Sequence, residues 1–338
     1  MADKHLELFN QLSKLVRENE AFYITEQFKD GHRFFIFNYR LASYTDFCQP
    51  GALDARGTMF EVDLGGNFIR LACLPPPKFF NLNECSFTMN LDLTDATLVT
   101  PKLDGSLISS YHVDGELYLK TKGSLYSEQA LAAMALIKTS KYKGLYEFVR
   151  NSTINGHTIN FEYCSPVNRI VVNYEKSFLK IISIRDPNGI YWDYSVMAEM
   201  LKQLDLGDFL IQNEVEESGK YCNGKHDITD FIKSVLTLTG IEGFVVYLKD
   251  GTVFKIKTTW YCNLHYTKDS VNNPRRLFEC TVNETSDDLR ALFFDDAIAL
   301  KLIGEMEQQV SKIYNKMVHT VESFFKLIKI RTGSPMLY

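Results

Sequence analysis

A lysine followed two residues later by an aspartate and a glycine lies in the run Thr100-Pro101-Lys102-Leu103-Asp104-Gly105-Ser106. A lysine amine is a good nucleophile only when it is neutral, and its ordinary pKa of ~10.4 keeps it protonated in water. Nearby positive charge or removal from water lowers that pKa. Lys102 could therefore attack a phosphate if other cations of the chain lie beside it.

The residues around this lysine predict where it sits. Pro101 favours an extended Thr100, and the apolar alternation from Leu107 to Val113 predicts a strand. Asp104-Gly105 between them is typical of a tight turn. We expect Lys102 at the end of a strand, facing a pocket. The alternative is an exposed Asp-Gly turn with a solvated lysine.

Two further lysines share one face of a predicted strand. In Thr252 to Lys257, alternation places Lys255 and Lys257 on one side and Phe254 and Ile256 on the other. This pair could supply the positive charge that Lys102 needs. An edge strand protected by lysines would show the same pattern, and the two interpretations are balanced on this stretch alone.

Glu162 interrupts a strand that is otherwise suited to burial, Thr158 to Tyr163. A buried carboxylate is costly unless it is paired or hydrogen-bonded, which indicates a binding role. The alternative is an edge strand with Glu162 in water.

Lys78 and Lys122 are candidate binding residues, but each also has a purely structural interpretation. Lys78 follows Pro75-Pro76-Pro77, which predicts a stiff extended approach that fixes its position, or else a rigid surface linker. Lys122 shares a predicted strand face with Tyr118 and Lys120, which is also typical of a solvated edge. The Gly123-Ser124 that follows would let a ligand approach the backbone closely.

Length and composition indicate a folded chain of one large or two ordinary domains, since 45% of its 338 residues are hydrophobic and 13% are aromatic. A formal charge of −5 argues against binding nucleic acid through bulk charge, so a polyanion would need a local basic groove. Composition therefore neither supports nor excludes an RNA substrate.

Several classes of site and location find no support. The seven cysteines show no metal-ligand spacing, and their odd number suits a reducing compartment, where we expect them to be small core residues. No His-Glu-x-x-His pair or Walker-type phosphate loop occurs. The N-terminus lacks the apolar run of a signal peptide, and no membrane-spanning stretch follows, which predicts a cytoplasmic protein without membrane contact.

Periodicity predicts strands first and helices later. An opening helix is expected around Leu8 to Val16, and a strand over His32 to Tyr39. Four hairpins are predicted, namely Thr58–Asp63 with Asn67–Cys73, Leu107–Val113 with Glu116–Lys122, Leu179–Asp186 with Ile190–Tyr194, and Glu242–Leu248 with Thr252–Lys257. Later helices are expected over Ser127–Thr139, Tyr142–Arg150, Ser195–Leu204, Asp230–Leu238 and Asp287–Ile330, with a polar loop near Lys220 to Lys225.

The order of these elements resembles the covalent nucleotidyltransferases, the superfamily of ATP-dependent ligases and mRNA capping enzymes. The matching motifs are Lys102-x-Asp104-Gly105, Phe161-Glu162-Tyr163, Glu242-Gly243-Phe244-Val245 and Lys255-Ile256-Lys257. Residues 54–61, 78–84, 168–171 and 254–261 resemble the bacteriophage RNA ligase 1 family specifically. The resemblance extends from about Leu8 to about Asp296.

The resemblance implies an ATP-dependent RNA ligase active in RNA repair. Lys102 would attack the α-phosphate of ATP and form lysyl-AMP, the AMP would pass to an RNA 5′-phosphate, and a 3′-hydroxyl would displace it. Each step is an in-line displacement at phosphorus, helped by positioning and charge neutralisation. Mg²⁺ is the implied metal, with Mn²⁺ as an alternative. RNA ends, including those of a nicked tRNA, are the implied partners of a monomer in the cytoplasm, that of a host bacterium if the chain is phage-encoded.

The resemblance also assigns roles to individual residues. Arg56, Lys78 and Lys122 would contact phosphates, while Lys255 and Lys257 would contact the α-phosphate and depress the pKa of Lys102. The remaining assignments are Glu162 at the ribose, Glu242 at a divalent ion, Phe80 and Gly105 at the nucleotide pocket, and Asp104 among the catalytic residues at a step left open.

The implied fold is α+β, with an ATP-grasp-like nucleotidyltransferase domain over residues 1–265 and a small all-helical domain over 266–338. Antiparallel sheets flanked by helices would form the first domain. Asp287-Asp288 resembles a family acidic pair that could hold a metal, although carboxylates that favour a helix N-terminus are the preferred interpretation. In the best-known relatives the helical domain is associated with recognition of a nicked tRNA. The C-terminal region is shorter here, which leaves a tRNA preference open.

Two other functions remain open from the sequence. One is a DNA ligase or capping guanylyltransferase, against which the family-specific motifs and the helical tail argue. The other is a non-catalytic RNA-end-binding protein that retains the ligase fold. Its expected mark would be a missing motif lysine or glutamate, and each of these residues is present.

Overall fold

The computed structural model describes residues 2–40, 42–214, 229–282, 286, 289, 290, 293 and 296–332. Their strands are β1 Phe22–Lys29, β2 His32–Tyr39, β3 Thr58–Val62, β4 Phe68–Cys73, β5 Phe80–Asn81, β6 Ala96–Lys102, β7 Ser106–Val113, β8 Glu116–Thr121, β9 Thr158–Cys164, β10 Phe178–Arg185, β11 Gly243–Leu248 and β12 Val253–Lys257.

Their α-helices are α1 Ala2–Glu18, α2 Tyr44–Phe47, α3 Glu128–Ile137, α4 Lys143–Ile154, α5 Tyr194–Gln203, α6 Thr229–Val235, α7 Thr259–Asn272, α8 Pro274–Val282 and α9 Ala297–Thr332. The chain divides into two compact units, residues 1–261 and 262–338. The domain boundary expected between residues 265 and 266 stays a prediction.

Over the described residues, the strands of the first unit form three four-stranded sheets, ordered β1-β2-β3-β4, β10-β9-β7-β8 and β5-β12-β11-β6. Their neighbours are antiparallel except β5 and β12, which run parallel. The predicted α+β fold of antiparallel sheets with flanking helices is confirmed.

The third sheet has one face in the core and one face open. Phe244, Val246 and Phe254 point to the buried side and pack on Phe231 and Val235 of α6. Residues at the alternate positions of the same strands point to the other face, as the two-residue period of a strand requires. That second face becomes the floor of the site described below.

Amphipathic helices cover the other two sheets. Phe9 and Leu12 of α1 pack on Phe37 and Phe60 of the first sheet. Leu145 and Val149 of α4 lie at helical spacing and pack with other residues on the second sheet. These contacts make both sheets rigid supports for the strands and loops of the site.

Two features of the first unit differ from the sequence expectations. Strand β1, which no sequence pattern had marked, pairs with β2 along its whole length. Ile190 to Tyr194 does not form the predicted second strand of a hairpin, and Tyr191 makes an isolated bridge to Arg185. The reason is that the Asp193 side chain accepts from Ser195 N and Val196 N, which starts α5 at Tyr194.

The described residues of the second unit are helical wherever they have regular structure, as predicted. Their core includes Val271, Leu277, Leu289, Phe293, Ala299 and Ile303. Asp287 and Asp288 lie outside the described residues, as does the predicted loop at 220–225. Among the helices of the described residues, none is long and apolar enough to cross a membrane.

The cysteines are not uniformly core residues. Cys73, Cys85 and Cys164 are buried, but Cys48 and Cys262 are exposed. The expectation that they fill the core is therefore correct for part of the set. Each of these described cysteines is a free thiol.

Candidate active site

A pocket of about 450 Å³ opens over the free face of the third sheet. Its walls come from the segment after β4, from β9 and from β10. Its lining includes the predicted site residues Arg56, Lys78, Phe80, Lys102, Glu162, Lys255 and Lys257. The structure thus brings together residues that are up to two hundred positions apart in sequence.

At the floor of this pocket two lysines share one carboxylate. Lys102 Nζ donates to Glu242 Oε2 at 2.8 Å, and Lys257 Nζ lies 2.9 Å from Glu242 Oε1. Glu242 is only 4% exposed. An ion pair removed from water is much less screened than one on the surface, so this bridge fixes the positions of both amines.

Strand register explains this bridge. Gly243 of β11 pairs with Lys102 of β6 on one side and with Lys257 of β12 on the other. It has φ of +151°, and a Cβ there would lie 1.9 Å from the carbonyl oxygen of Ile256. Glycine at this position therefore allows the three strands to meet just below the two amines.

Glu162 lies at one wall of the pocket on β9, an interior strand between β10 and β7. Its Oε1 accepts a 3.2 Å hydrogen bond from the backbone N–H of Gly105. Burial raises the pKa of Glu162 to about 7, helped by the negative charge of Glu242 and opposed by Lys102 and Arg56. The alternative of an edge strand with Glu162 in water is wrong.

Lys255 lies in the middle of a group of cations. Burial, followed by the neighbouring charges of Lys78, Lys102 and Lys257, lowers its pKa to about 8. Strand β12 lies between β5 and β11, so the edge-strand alternative for its lysines is wrong. Repulsion among these cations favours an anionic ligand that neutralises them.

The polyproline segment holds Lys78 against this group. Arg185 Nη1 donates to the carbonyl of Pro75 at 2.6 Å, and Lys78 N donates to Leu53 O at 2.7 Å. Pro75 and Pro76 are buried, so the surface-linker alternative is wrong. Burial is also the main reason why the pKa of Lys78 falls below its ordinary value.

Strand β8 is the outer strand of the second sheet, but its lysine face is not solvated. Lys120 is fully buried, and its Nζ donates to Gly57 O at 2.7 Å. Lys122 follows the strand, with its Nζ 4.6 Å from the centre of the Tyr39 ring. Burial, followed by the charges of Arg56 and Lys78, lowers the pKa of Lys122. Lys120 supports the turn that carries Arg56, and Lys122 joins the group of cations.

Comparison with known proteins decides the family. The sequence profile of a family described as RNA ligase matches residues 54–261, more than half of the chain. A second profile, described as T4 RNA ligase 1, C-terminal domain, matches residues 268–332. The chain belongs to the RNA ligase family.

Relatives of this RNA ligase family member span different shares of it. A protein named "Putative RNA ligase" from Thermovibrio ammonificans is 23% identical over 325 residues, which are 94% of this chain and 77% of that protein. A "Putative bifunctional polynucleotide kinase/RNA ligase" from Autographa californica nuclear polyhedrosis virus is 28% identical over 205 residues, which are 57% of this chain and 27% of that protein.

A solved structure supports the fold of this RNA ligase family member. "Archaeal ATP-dependent RNA ligase - form 1" superposes with a TM-score of 0.51 at 13% sequence identity. The superposition covers 89% of this chain and 78% of that chain. At this identity the likeness shows a shared fold.

One predicted catalytic residue of the RNA ligase motif does not face the pocket. Asp104 Oδ2 accepts from the backbone N–H groups of Val171 and Val172, each at 2.7 Å, and Oδ1 accepts from Tyr261 OH at 2.7 Å. The carboxylate is 1% exposed. The expected catalytic role of Asp104 stays a prediction, and in this structure its oxygens join three segments around the pocket and are not directed into it.

Gly105 also differs from its expected role. A Cβ at this position would lie 2.3 Å from the carbonyl oxygen of Tyr163, so the glycine allows β9 to approach the turn after β6. Its contact with the site is the backbone hydrogen bond to Glu162. The expected direct contact of Gly105 with a nucleotide stays a prediction.

Sequence reasoning missed two aromatic residues in the pocket of this RNA ligase family member. The Phe79 ring lies 5.7 Å from both the Arg56 guanidinium and Lys255 Nζ. The ammonium groups of Lys78 and Lys122 lie 5.9 and 4.6 Å from the centre of the Tyr39 ring. The two phenylalanines that directly follow a lysine in Lys78-Phe79-Phe80 were the available signal for Phe79.

Proposed function

We propose that this protein is an ATP-dependent RNA ligase in which Lys102 forms a lysyl-AMP intermediate. The observation that carries the proposal is the meeting of Lys102 with Glu242, Glu162, Lys255 and Lys257 in one pocket. A nucleophilic amine, a carboxylate beside it and a group of cations are what attack on a nucleotide phosphate requires.

The pocket has separate regions for the two ends of a nucleotide. Glu162 would accept hydrogen bonds from the ribose hydroxyls, and Ile182 and Ile211 are apolar residues of the same pocket lining. Arg56 and Lys255 lie toward β5 and would bind the triphosphate. Lys102 lies between these regions, so the α-phosphorus of ATP would be nearest to its amine.

The first step is an in-line displacement. Lys102 must leave its ion pair with Glu242 and lose a proton before its nitrogen lone pair can attack the α-phosphorus. The bond to pyrophosphate then breaks on the opposite side. Lys255 and Lys257 would neutralise charge on the α-phosphate, and Lys78 would neutralise the charge that develops on the leaving group. Phe80 lies beneath Lys78 and shapes this part of the pocket.

A divalent cation fits the pocket through one protein oxygen ligand. Glu242 supplies a carboxylate, whose two oxygens are paired with lysines, so an ion there would replace one ammonium contact. Mg²⁺ is often held by one or two carboxylates together with substrate phosphates, and Mn²⁺ accepts similar ligands. When bound, the ion would neutralise phosphate charge.

The later steps define the substrate. We propose that the RNA 5′-phosphate takes AMP from Lys102 and that a 3′-hydroxyl then seals the break, in repair of cleaved RNA. A nicked tRNA is the finer proposal, supported by the match of residues 268–332 to the C-terminal family profile. Equal sealing rates on a nicked tRNA and on an unstructured RNA of equal length would contradict the tRNA preference.

The decisive experiment follows the label of α-³²P-ATP onto the protein in the presence of Mg²⁺. We expect one adenylyl group per chain in the wild type and complete loss of label in Lys102→Ala. Lys249→Ala is the matched control, because Lys249 is an exposed lysine on the hairpin between β11 and β12. Unchanged labelling of Lys102→Ala would overturn the assignment.

Labelling and sealing assays on the same protein distinguish the other functions that the sequence left open. A capping guanylyltransferase would be labelled by GTP, and a DNA ligase would seal DNA ends faster than RNA ends. A non-catalytic RNA-end-binding protein would bind RNA without becoming labelled. We expect labelling by ATP and sealing of RNA.

A further inference from the structure

Two aromatic side chains remain exposed at the mouth of the pocket. Tyr44 is 37% exposed and Phe87 is 38% exposed, with their ring centres 5.2 Å apart. Phe87 also lines the pocket and stacks on Phe80, with ring centres 5.6 Å apart and an interplanar angle of 16°. We call Tyr44 and Phe87 the aromatic rim. Exposed rings that continue from a binding pocket commonly mark a contact surface.

The aromatic rim is held in place before any ligand binds. Ser43 and Asp46 form a capping box that fixes α2, which begins at Tyr44. The Tyr44 hydroxyl is hydrogen-bonded to Ser86 Oγ. Thr88 Oγ1 donates to Asn81 O at 2.7 Å, which closes the loop that carries Phe87. A preorganised surface binds with a smaller loss of conformational entropy than a mobile one.

The rim lies on the phosphate side of the pocket. In the third sheet, β5 is at one edge and β6, which carries Lys102, is at the other. The cations Lys255 and Lys257 are on β12, between these edges, and Lys78 Nζ lies 5.0 Å from the centre of the Phe80 ring on β5. Glu162 is near the end of β6, through its bond to Gly105. The path from the ribose side past Lys102 and the cations therefore leads to the rim.

The chemistry of the second step places the RNA end on this path. Pyrophosphate leaves from the side opposite Lys102, and that side is where the next nucleophile must approach for a second in-line displacement. An oxygen of the RNA 5′-phosphate forms a new bond to the α-phosphorus while the bond between phosphorus and Lys102 Nζ breaks. The electron pair returns to Nζ, which takes up a proton. The RNA phosphate thus replaces pyrophosphate among the cations.

From this geometry, and on the basis of the proposed function, we propose that the aromatic rim stacks on the first nucleobase of the 5′-phosphorylated RNA strand. A phosphate beside Lys78 leaves its nucleoside next to Phe87 and Tyr44. Stacking on aromatic rings tolerates every base, since each base has a π-face, and is worth about a factor of ten or more in binding. The rim thereby holds RNA ends without reading their sequence.

The experiment separates the second step from the first. Adenylylated protein is isolated and mixed with excess 5′-phosphorylated RNA, and the single-turnover rate of AMP transfer is followed against RNA concentration. The RNA carries either a normal first nucleotide or an abasic one. The variants are Phe87→Leu, Phe87→Trp, Tyr44→Leu and the control Phe28→Leu, whose ring is 55% exposed on β1.

We expect Phe87→Leu to need about tenfold more RNA for half-maximal transfer, in line with the loss of one stacked base. Phe87→Trp restores the wild-type value, and Phe28→Leu has no effect. Abasic RNA raises the RNA concentration for half-maximal transfer by a similar factor in the wild type, but not in Phe87→Leu. Tyr44→Leu shows a smaller loss of the same kind.

Other outcomes overturn the proposal. The rim does not bind the base if Phe87→Leu transfers AMP at the same RNA concentrations as the wild type. The same conclusion follows if abasic RNA weakens RNA binding equally in the wild type and in the variant. A protein partner would then fit the rim better. Phe87→Leu could also lose self-labelling by ATP, because Phe87 contacts Phe80 in the pocket. In that case Tyr44→Leu is tested with the normal and the abasic RNA instead, since Tyr44 is not among the lining residues. Failure of the wild type to label contradicts the proposed function itself.

Discussion

At the scale of single residues, two acidic side chains of the motifs differ in their tasks because they differ in their surroundings. Glu162 faces the pocket and accepts one backbone hydrogen bond, and its pKa is raised to about 7. Asp104 faces away and accepts three hydrogen bonds. Glu162 is thus available to a ligand, whereas we expect Asp104 to be a positioning residue.

Glu162 makes the stability of the protein depend on pH. Between its ordinary pKa of 4.5 and its folded value of about 7, the folded state holds a proton that the unfolded chain has released. The free energy of unfolding therefore falls as pH rises through this window. We expect Glu162→Gln to unfold like the wild type at pH 4.5 and to be more stable at pH 8 by roughly 1–3 kcal/mol, a range reduced for partial contact with water.

Urea unfolding at the two pH values measures this difference. Glu20→Gln is the control, because Glu20 is exposed outside the pocket. A constant difference between Glu162→Gln and wild type across the window would show that Glu162 is ionised in the fold throughout.

Asp104 should contribute to stability more than to chemistry. Asp104→Ala leaves the N–H groups of Val171 and Val172 and the hydroxyl of Tyr261 without their acceptor. Since a buried donor without a partner costs about 1–3 kcal/mol, we expect a loss of roughly 3–5 kcal/mol in the free energy of unfolding. Tyr261→Phe should lower the free energy of unfolding by about 1–3 kcal/mol, because it removes one hydrogen bond to a charged acceptor.

Urea denaturation combined with self-labelling by ATP tests this assignment. Tyr314→Phe, at a tyrosine that is 65% exposed on α9, should unfold like the wild type. Loss of labelling by Asp104→Ala at full stability would instead place the carboxylate in the reaction.

At the scale of elements, the sequence predicted strands better than it predicted their partners. Alternation marked β11 and β12 and placed Lys255 and Lys257 on one face, because a strand has a period of two. The pairing of β6 with β11 joins segments far apart in sequence, and the parallel pairing of β5 with β12 joins two more. Such pairings depend on the whole chain, so residue patterns could not show which strands flank Lys102.

Gly243 tests the pairing of these strands. Gly243→Ala would place a methyl group 1.9 Å from the carbonyl oxygen of Ile256, so β11 and β12 would have to separate beneath Glu242 and Lys257. We expect loss of self-labelling and a fall of more than about 1–3 kcal/mol in the free energy of unfolding, since strain at a special backbone angle alone is of that size.

Gly251→Ala is the matched control for this variant. Gly251 has φ of +87° in the turn between the same strands, and nothing lies within 4 Å of a Cβ there. Gly251→Ala should lower the free energy of unfolding by about 1 kcal/mol and retain self-labelling, because the strain is local and the turn is exposed. Equal effects of the two alanines would show that backbone strain alone, without the contact to Ile256, explains the loss.

At the scale of the whole molecule, the pocket of the proposed function belongs to the first of the two compact units. The lining residues of the pocket lie between Tyr39 and Lys257, within the first unit. Helical periodicity over Asp287 to Ile330 predicted most of α9 but did not mark α7 or α8. The link from Tyr261 to Asp104 crosses more than 150 positions and had no local signal. The place where the chain can be cut therefore depends on a contact that only the structure shows.

A pair of truncations tests this dependence. A chain that ends at residue 272, the end of α7, keeps Tyr261, whereas one that ends at Lys257 removes a tyrosine that is 2% exposed and donates to Asp104. Loss of a buried aromatic side chain costs about 3–5 kcal/mol. We expect the longer fragment to label itself with AMP like the full chain and the shorter one to label poorly and unfold at lower urea. If both label equally, Tyr261 does not hold the nucleophile's turn in place, and if neither labels, the second unit is needed for the first step.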